Sequence, residues 1–161
     1  MASKGRDFLN EVAIPTLASK MTNTDIVYVI GKNPNYDYSN MFPLGITTDI
    51  DKQTNPDLLD DICHSKIETC TASAIVFIGV FEFLKEPTQA FSEMYRVLKT
   101  GGYLLAALPG KGYWPAPGET GARVSIELIP DLFKNYKILQ ITCFYADNNE
   151  MESCIVTARK V

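Results

Sequence analysis

The chain has 161 residues, 46% hydrophobic and 21% charged, with a formal charge of -4 at neutral pH. That length suits one domain over residues 1–161, with enough apolar mass for a core that needs neither disulfides nor metal. The 15 basic residues are scattered among 19 acidic ones, which argues against nucleic acid as a partner, since phosphate neutralisation needs clustered Lys and Arg.

No run approaches the roughly 20 apolar residues of a membrane span, so no membrane insertion is expected. The first residues are mixed in charge and lack the apolar stretch of a secretory signal. Cys63, Cys70, Cys143 and Cys154 show no C-x-x-C spacing, and His64 is the sole histidine. A zinc site is therefore disfavoured, and the expectation is a cytoplasmic protein with reduced, mostly buried thiols.

In chain order, a helix is predicted over Asp7–Lys20, with Pro15 either kinking or shortening it. Asp25–Gly31 (DIVYVIG) follows as a strand, almost wholly β-branched or aromatic. Weaker strands are expected at Gly45–Ile50 and Asp57–Ile62, then strong ones at Ser73–Gly79 (SAIVFIG) and Gly102–Pro109 (GYLLAALP). Their continuous apolarity, without alternation, suits parallel strands covered on both faces. Between the last two lies Pro87–Lys99, whose Ala90, Phe91, Met94, Val97 and Leu98 fall on one helical face. Pro87 fits the first turn and Gly101-Gly102 offers a stop, so this is a βαβ unit of right-handed crossover. A helix around Ile126–Lys134 and an antiparallel hairpin of Tyr136–Cys143 and Glu152–Arg159 complete an α/β fold.

Ligands in open α/β sheets sit beyond the carboxyl ends of the strands, where strand order reverses. The first strand ends in Gly31-Lys32-Asn33-Pro34-Asn35, and a glycine there lets backbone approach a ligand closely. The second ends in Thr48-Asp49-Ile50-Asp51, where a carboxylate could accept hydrogen bonds from both hydroxyls of a ribose. A further acidic position, Asp61, closes PDLLDDI. Taken singly, Gly31 is equally a plain turn, and the aspartates are equally solvated loop residues.

Taken together and in order they say more. Gly79–Pro109, GVFEFLKEPTQAFSEMYRVLKTGGYLLAALP, closely resembles the xVLEHxxDPxxALxExxRVLKPGGxLLxxxP stretch of type-11, class I S-adenosylmethionine-dependent methyltransferases. Upstream, NPDLLDDI is similar to the family's PDVVGD segment, and TTDIDKQTNPD to its acidic second-strand motif. The resemblance implies a Rossmann-like three-layer sandwich, mostly parallel, with a C-terminal antiparallel hairpin and reduced helices. It implies S-adenosylmethionine as cofactor and a small-molecule acceptor such as a sugar or another metabolite; a homodimer is compatible with it. By that resemblance Gly31 and the loop through Asn33 would pass under the cofactor's methionine and ribose. Asp49 would bind the ribose hydroxyls and Ile50 would pack on the adenine. Asp61 would approach the adenine amino group near the Ile62 backbone, and Gly79 and Val80 would lie by the sulfonium.

The chain departs from the family at this site. The usual GxGxG loop keeps only its first glycine, and Asn33 is the residue best able to take left-handed geometry in place of another. The histidine of the LEH motif is Phe83. Only about a dozen residues separate Gly31 from Gly45, too few for a crossover helix. Lys32 is read as solvated or as a partner for the cofactor's carboxylate. His64 is the natural titrating group, either a base or a plain surface residue. Gly110–Arg123, with Tyr113 and Trp114, is either a lid or a connecting loop. These departures motivate a second reading, a degenerate methyltransferase-like binding or assembly module. A dinucleotide oxidoreductase is excluded, because G-x-G-x-x-G is absent after the first strand.

Overall fold

A computed structural model describes residues 3–161. Seven strands form one sheet in the order β3-β2-β1-β4-β5-β7-β6. They are β1 (Ile26–Ile30), β2 (Leu44–Asp49), β3 (Leu58–Leu59), β4 (Ala72–Ile78), β5 (Leu98–Pro109), β6 (Tyr136–Tyr145) and β7 (Met151–Lys160). The first five pair in parallel, while β7 runs antiparallel to both β5 and β6. The chain steps outward from β1 to β3 and then returns to β4 on the other side of β1. Strand order therefore reverses between β1 and β4.

Helices cover both faces. On one lie α1 (Lys4–Phe8) and α2 (Ile14–Ala18), joined by a π-helical turn, Leu9–Ala13. Their Leu9, Ile14 and Leu17 pack on Val27, Val76 and Leu105. On the other face, α3 (Pro87–Val97) and α4 (Ile129–Leu132) bring Phe91, Met94 and Ile129 onto Ile75, Phe77 and Leu104. The result is the expected three-layer sandwich with few helices.

Several boundaries differ from expectation for local reasons. The first helix starts earlier because Ser3 Oγ accepts from the Arg6 N–H at 3.2 Å. Pro15 does not break it; the widened π turn just before gives its ring room against the preceding carbonyls. β3 shrinks to two residues as side-chain bonds form at both of its ends, beginning with the Asp57 N–H, which donates to Thr47 Oγ1 at 3.0 Å. The N–H and Oγ1 of Thr47 both donate to Asp57 Oδ2 at 2.8 Å, while Asp60 accepts from Ser65 Oγ and the Lys66 N–H. The two bonds from Thr47 hold Asp57 below the usual carboxylate range.

α3 stops at Val97, and β5 begins at once, ahead of the glycines. Residues 99–102 bulge out, since the pairing jumps from Ala72 with Leu98 to Ala74 with Tyr103. α4 is a single turn preceded by a 3-10 turn, Ile126–Leu128. As the spacing required, β1 and β2 are joined by no more than a 3-10 turn, Tyr38–Met41.

Cys63 and Cys154 are buried, Cys143 is half-buried and Cys70 is exposed, so the thiols are less uniformly sheltered than expected. No group of three side chains suited to hold a metal occurs among the described residues, and no helix there is long and apolar enough to cross a membrane.

Lys160 secures the far edge of the layer. Its Nζ donates to the carbonyls of Tyr95 and Leu98 at 2.8 Å each and lies 4.6 Å above the Tyr95 ring. It thus satisfies carbonyls that the end of α3 leaves open, with the charge sign that the helix C-terminus favours. Lys160→Met is expected to cost about 1–3 kcal/mol through those lost charge-assisted bonds. The check is a lower urea midpoint with an unchanged m-value.

Candidate functional site

At the reversal between β1 and β4 the strand ends open into a cleft of about 660 Å³. Its size is within the range of small-molecule and cofactor sites. All eight residues singled out from sequence line it: Gly31 and Asn33 after β1, Asp49 and Ile50 at β2, Asp61 and Ile62 after β3, and Gly79 and Val80 after β4. Their side chains do not all do what was expected.

Asp49 is the best organised. Oδ2 accepts from the Lys32 N–H and Oδ1 from the Asp51 N–H, both at 2.8 Å. One carboxylate thereby ties the loop after β1 to the loop after β2. Each oxygen keeps a further lone pair for a ligand hydroxyl. Ile50 is 71% exposed, an apolar face left beside the cleft.

Gly31 and Gly79 hold left-handed backbone, with φ of +82° and +70°. A Cβ on Gly31 would collide with Val80 Cγ2, so this position needs glycine for packing as well as for conformation. A Cβ on Gly79 would meet nothing within 4 Å. It would project into open space at the wall of the cleft.

Asn33 does not stand in for a left-handed glycine, since its φ is negative. Instead its Oδ1 accepts from the Asn35 N–H at 2.8 Å, an Asx turn that closes the short loop. Lys32 is neither free nor aimed at a ligand carboxylate; its Nζ donates to the Asn55 carbonyl at 2.7 Å. Ile62 turns its side chain into the core, so only its backbone faces the cleft. Asp61 caps the turn after β3, with Oδ1 accepting from the Cys63 N–H and Oδ2 lying 3.3 Å from His64 Nδ1. The His64 side chain is exposed and sits on the Asp61 side of the cleft. Cys63, buried beside Asp61 and Glu86, has its thiol pushed up, chiefly by burial, and so stays protonated.

Sequence reasoning missed several walls. Lys85 lines the rim beside Phe83, the residue in place of the motif's histidine, and Asp60 and Glu86 add acidity to that of Asp49, Asp51 and Asp61. Only Lys32 and Lys85 oppose them, so the lining favours a ligand carrying positive charge. The acidic PDLLDDI run was the available signal for part of this. The 110–123 loop is fastened rather than free: the Thr120 N–H and Oγ1 both donate to the Glu82 carbonyl at 2.9 Å. Arg123 bonds Glu119 at 2.7 Å. Of its two aromatics, Tyr113 turns inward, while Trp114 is 85% exposed.

The overall fold recurs among solved structures. An S-adenosylmethionine-dependent methyltransferase of Methanosarcina mazei superposes with a TM-score of 0.67 at 15% identity, covering 91% of this chain and 97% of that one. The chain has the class I methyltransferase fold. A family model described as a methyltransferase domain independently matches residues 47–106 of the sequence, the stretch from β2 into β5. A methyltransferase-fold protein of Bacillus halodurans reaches a TM-score of 0.73 at 12% identity, over 94% of this chain and 99% of that one. Phosphoethanolamine N-methyltransferase 2 of Haemonchus contortus, in complex with S-adenosyl-L-methionine, reaches 0.70 at 13% identity. There the match covers 95% of this chain and 52% of the other, so the methyltransferase fold here spans about half of that protein. No curated protein matches the sequence.

Proposed function

We propose that the chain binds S-adenosylmethionine in this cleft and transfers its methyl group to a small-molecule acceptor. The observation that carries the reading is the convergence of four strand ends, through Gly31, Asp49, Asp61 and Gly79, on one cleft of about 660 Å³. The residues present fit the cofactor. Asp49 has lone pairs to spare for two ribose hydroxyls, and Ile50 offers an exposed apolar surface to a base. The space beyond Gly79, which a Cβ would enter, is left for the reacting end. The acidic lining suits a cation.

When bound, S-adenosylmethionine supplies a methyl group already activated on a sulfonium. The protein's part is then to hold that methyl in line with the acceptor and to keep water away. Asp49 orients the nucleoside, and the Gly79 backbone leaves the approach open.

What favours this reading over a cofactor-free assembly module is that the short first loop does not fill the cleft. Its polar side chains are spent on local bonds, Asn33 to Asn35 and Lys32 to Asn55, and these hold it as one wall of an open site. Isothermal titration with S-adenosylmethionine is expected to show saturable one-to-one binding. Absence of binding at millimolar cofactor would overturn the proposal.

A further inference from the structure

A second cavity, of about 50 Å³, adjoins the cleft, and the two share Ile78 and Gly79. Its floor is the carboxyl ends of β4 and β5 with Ser153 of β7, and α1 roofs it through Gly5 and Arg6. Glu82 and Tyr113 also line it. Through those shared residues a molecule in this chamber would meet the end of a ligand in the cleft that lies by Gly79.

Of two buried polar groups there, one lacks any hydrogen-bond partner and the other lacks an ion-pair partner among the described residues. Ser153 Oγ is buried without a hydrogen bond among the described residues. Gly5 makes the room for it, since a Cβ at that position would come within 2.5 Å of the same oxygen. Glu82 is 3% exposed and takes part in none of the ion pairs among the described residues. The nearby cations are engaged elsewhere. Arg123 holds Glu119, and Arg6 donates to the Tyr38 hydroxyl at 2.9 Å while its guanidinium lies 4.1 Å over the Tyr36 ring. A buried carboxylate without a cation is costly, and a ligand that brings one removes the cost.

We propose that the chamber receives a compact ammonium group, the nucleophilic end of the methyl acceptor, with Glu82 and Ser153 accepting its N–H bonds. The inference rests on the cofactor reading, which alone gives the chamber a reaction to serve. The space holds roughly three or four water molecules' worth of atoms, enough for an amine with one or two carbons but not a ring. Recognition of the rest of the acceptor falls outside it.

Glu82 also has somewhere to put the proton that an ammonium must lose before its nitrogen can attack. Burial raises the Glu82 carboxyl above its usual range and the neighbouring Glu119 raises it further, against opposing contributions from its own backbone N–H, Arg123 and Tyr113. The same burial lowers an ammonium, so the two approach each other. One proton then passes from nitrogen to a carboxylate oxygen, and an ion pair becomes a neutral amine beside a carboxylic acid. The groups facing this pair are Tyr113, Glu119 and Arg123 from the 110–123 loop and Arg6 from α1.

The test uses the full chain, saturated with S-adenosylhomocysteine and also free of it, titrated with ethylamine and, as a neutral match in size, ethanol. Amide resonances of Gly5, Gly79 and Tyr113 are followed by NMR. Saturable ethylamine shifts at these three amides are expected, with ethanol at least about tenfold weaker because it brings no charge. Glu82→Gln is expected to weaken ethylamine at least about tenfold while leaving S-adenosylhomocysteine affinity unchanged. Equal binding of ethanol and ethylamine, an ethylamine affinity indifferent to Glu82→Gln, or no ethylamine shift at all would each overturn the proposal. The comparison of the two probes on the unsubstituted chain stands even if the variant does not fold. Loss of S-adenosylhomocysteine binding would sink the cofactor reading instead, and the cofactor-free titration still decides what the chamber binds.

Discussion

Asp49→Ala is expected to weaken S-adenosylmethionine binding by about 100-fold, equivalent to about 2.7 kcal/mol. Two losses combine. The first is direct, because the proposed ribose hydroxyls lose a charged acceptor, and hydrogen bonds to charged groups contribute about 1.5–3 kcal/mol. The second is organisational. The Lys32 and Asp51 N–H groups now end on this carboxylate, so without it the loops after β1 and β2 lose their common tie. Both loops line the cleft, and ordering them would then draw on binding energy. Asp49→Asn should fall between, since an amide offers one oxygen where two N–H donors require two acceptors. Isothermal titration of the three proteins checks the order. Equal affinity in all three would show that the nucleoside does not use this strand end. A thermal melt of the ligand-free variants separates the organisational part, which should be small because both donors can turn to water.

The strands that build the site were legible because their signal is collective. Asp25–Gly31, Ser73–Gly79 and Gly102–Pro109 are apolar over whole lengths, and such runs find burial only in a covered sheet. That is why β1 and β4 fall within a residue or so of the expected runs, and β5 ends where expected although it starts four residues early. Where single side chains override the pattern, the reading failed. Asp57, Asp60 and Asp61 looked like the ends of a strand, yet each spends its carboxylate on a nearby N–H or hydroxyl, and β3 is cut short. Asn33 was read by its backbone tolerance, whereas its side-chain oxygen decided its geometry. The chamber was invisible for another reason. Gly5, Glu82, Tyr113 and Ser153 lie on four different segments, and no local motif joins a serine of β7 to a glycine of the first helix. The LEH-like match marked Glu82 as part of a fold signature and carried no sign that its carboxylate would be buried beside a cavity.

Gly79→Ala is the sharper probe of where the reacting end lies, because it separates stability from binding. At φ +70° an L-residue costs about 1–2 kcal/mol, so the variant should fold with a modestly lower midpoint. Nothing in the protein lies within 4 Å of the added methyl, so no further packing penalty arises. Its effect on ligand should be at least as large as its effect on stability and should come in addition to it. The methyl would stand in the wall common to the cleft and the chamber, and even an ångström of displacement at a reacting centre costs about 100-fold in rate. S-adenosylmethionine affinity is expected to fall by at least about tenfold, since overpacking a filled site costs about 1–3 kcal/mol. Gly31→Ala is the control, with the opposite balance. Its methyl would press on Val80 Cγ2, so most of its damage should appear in the urea midpoint of the ligand-free protein. A Gly79→Ala protein that binds cofactor as well as the parent would place the reacting end elsewhere, and the chamber behind this glycine would lose its connection to the chemistry.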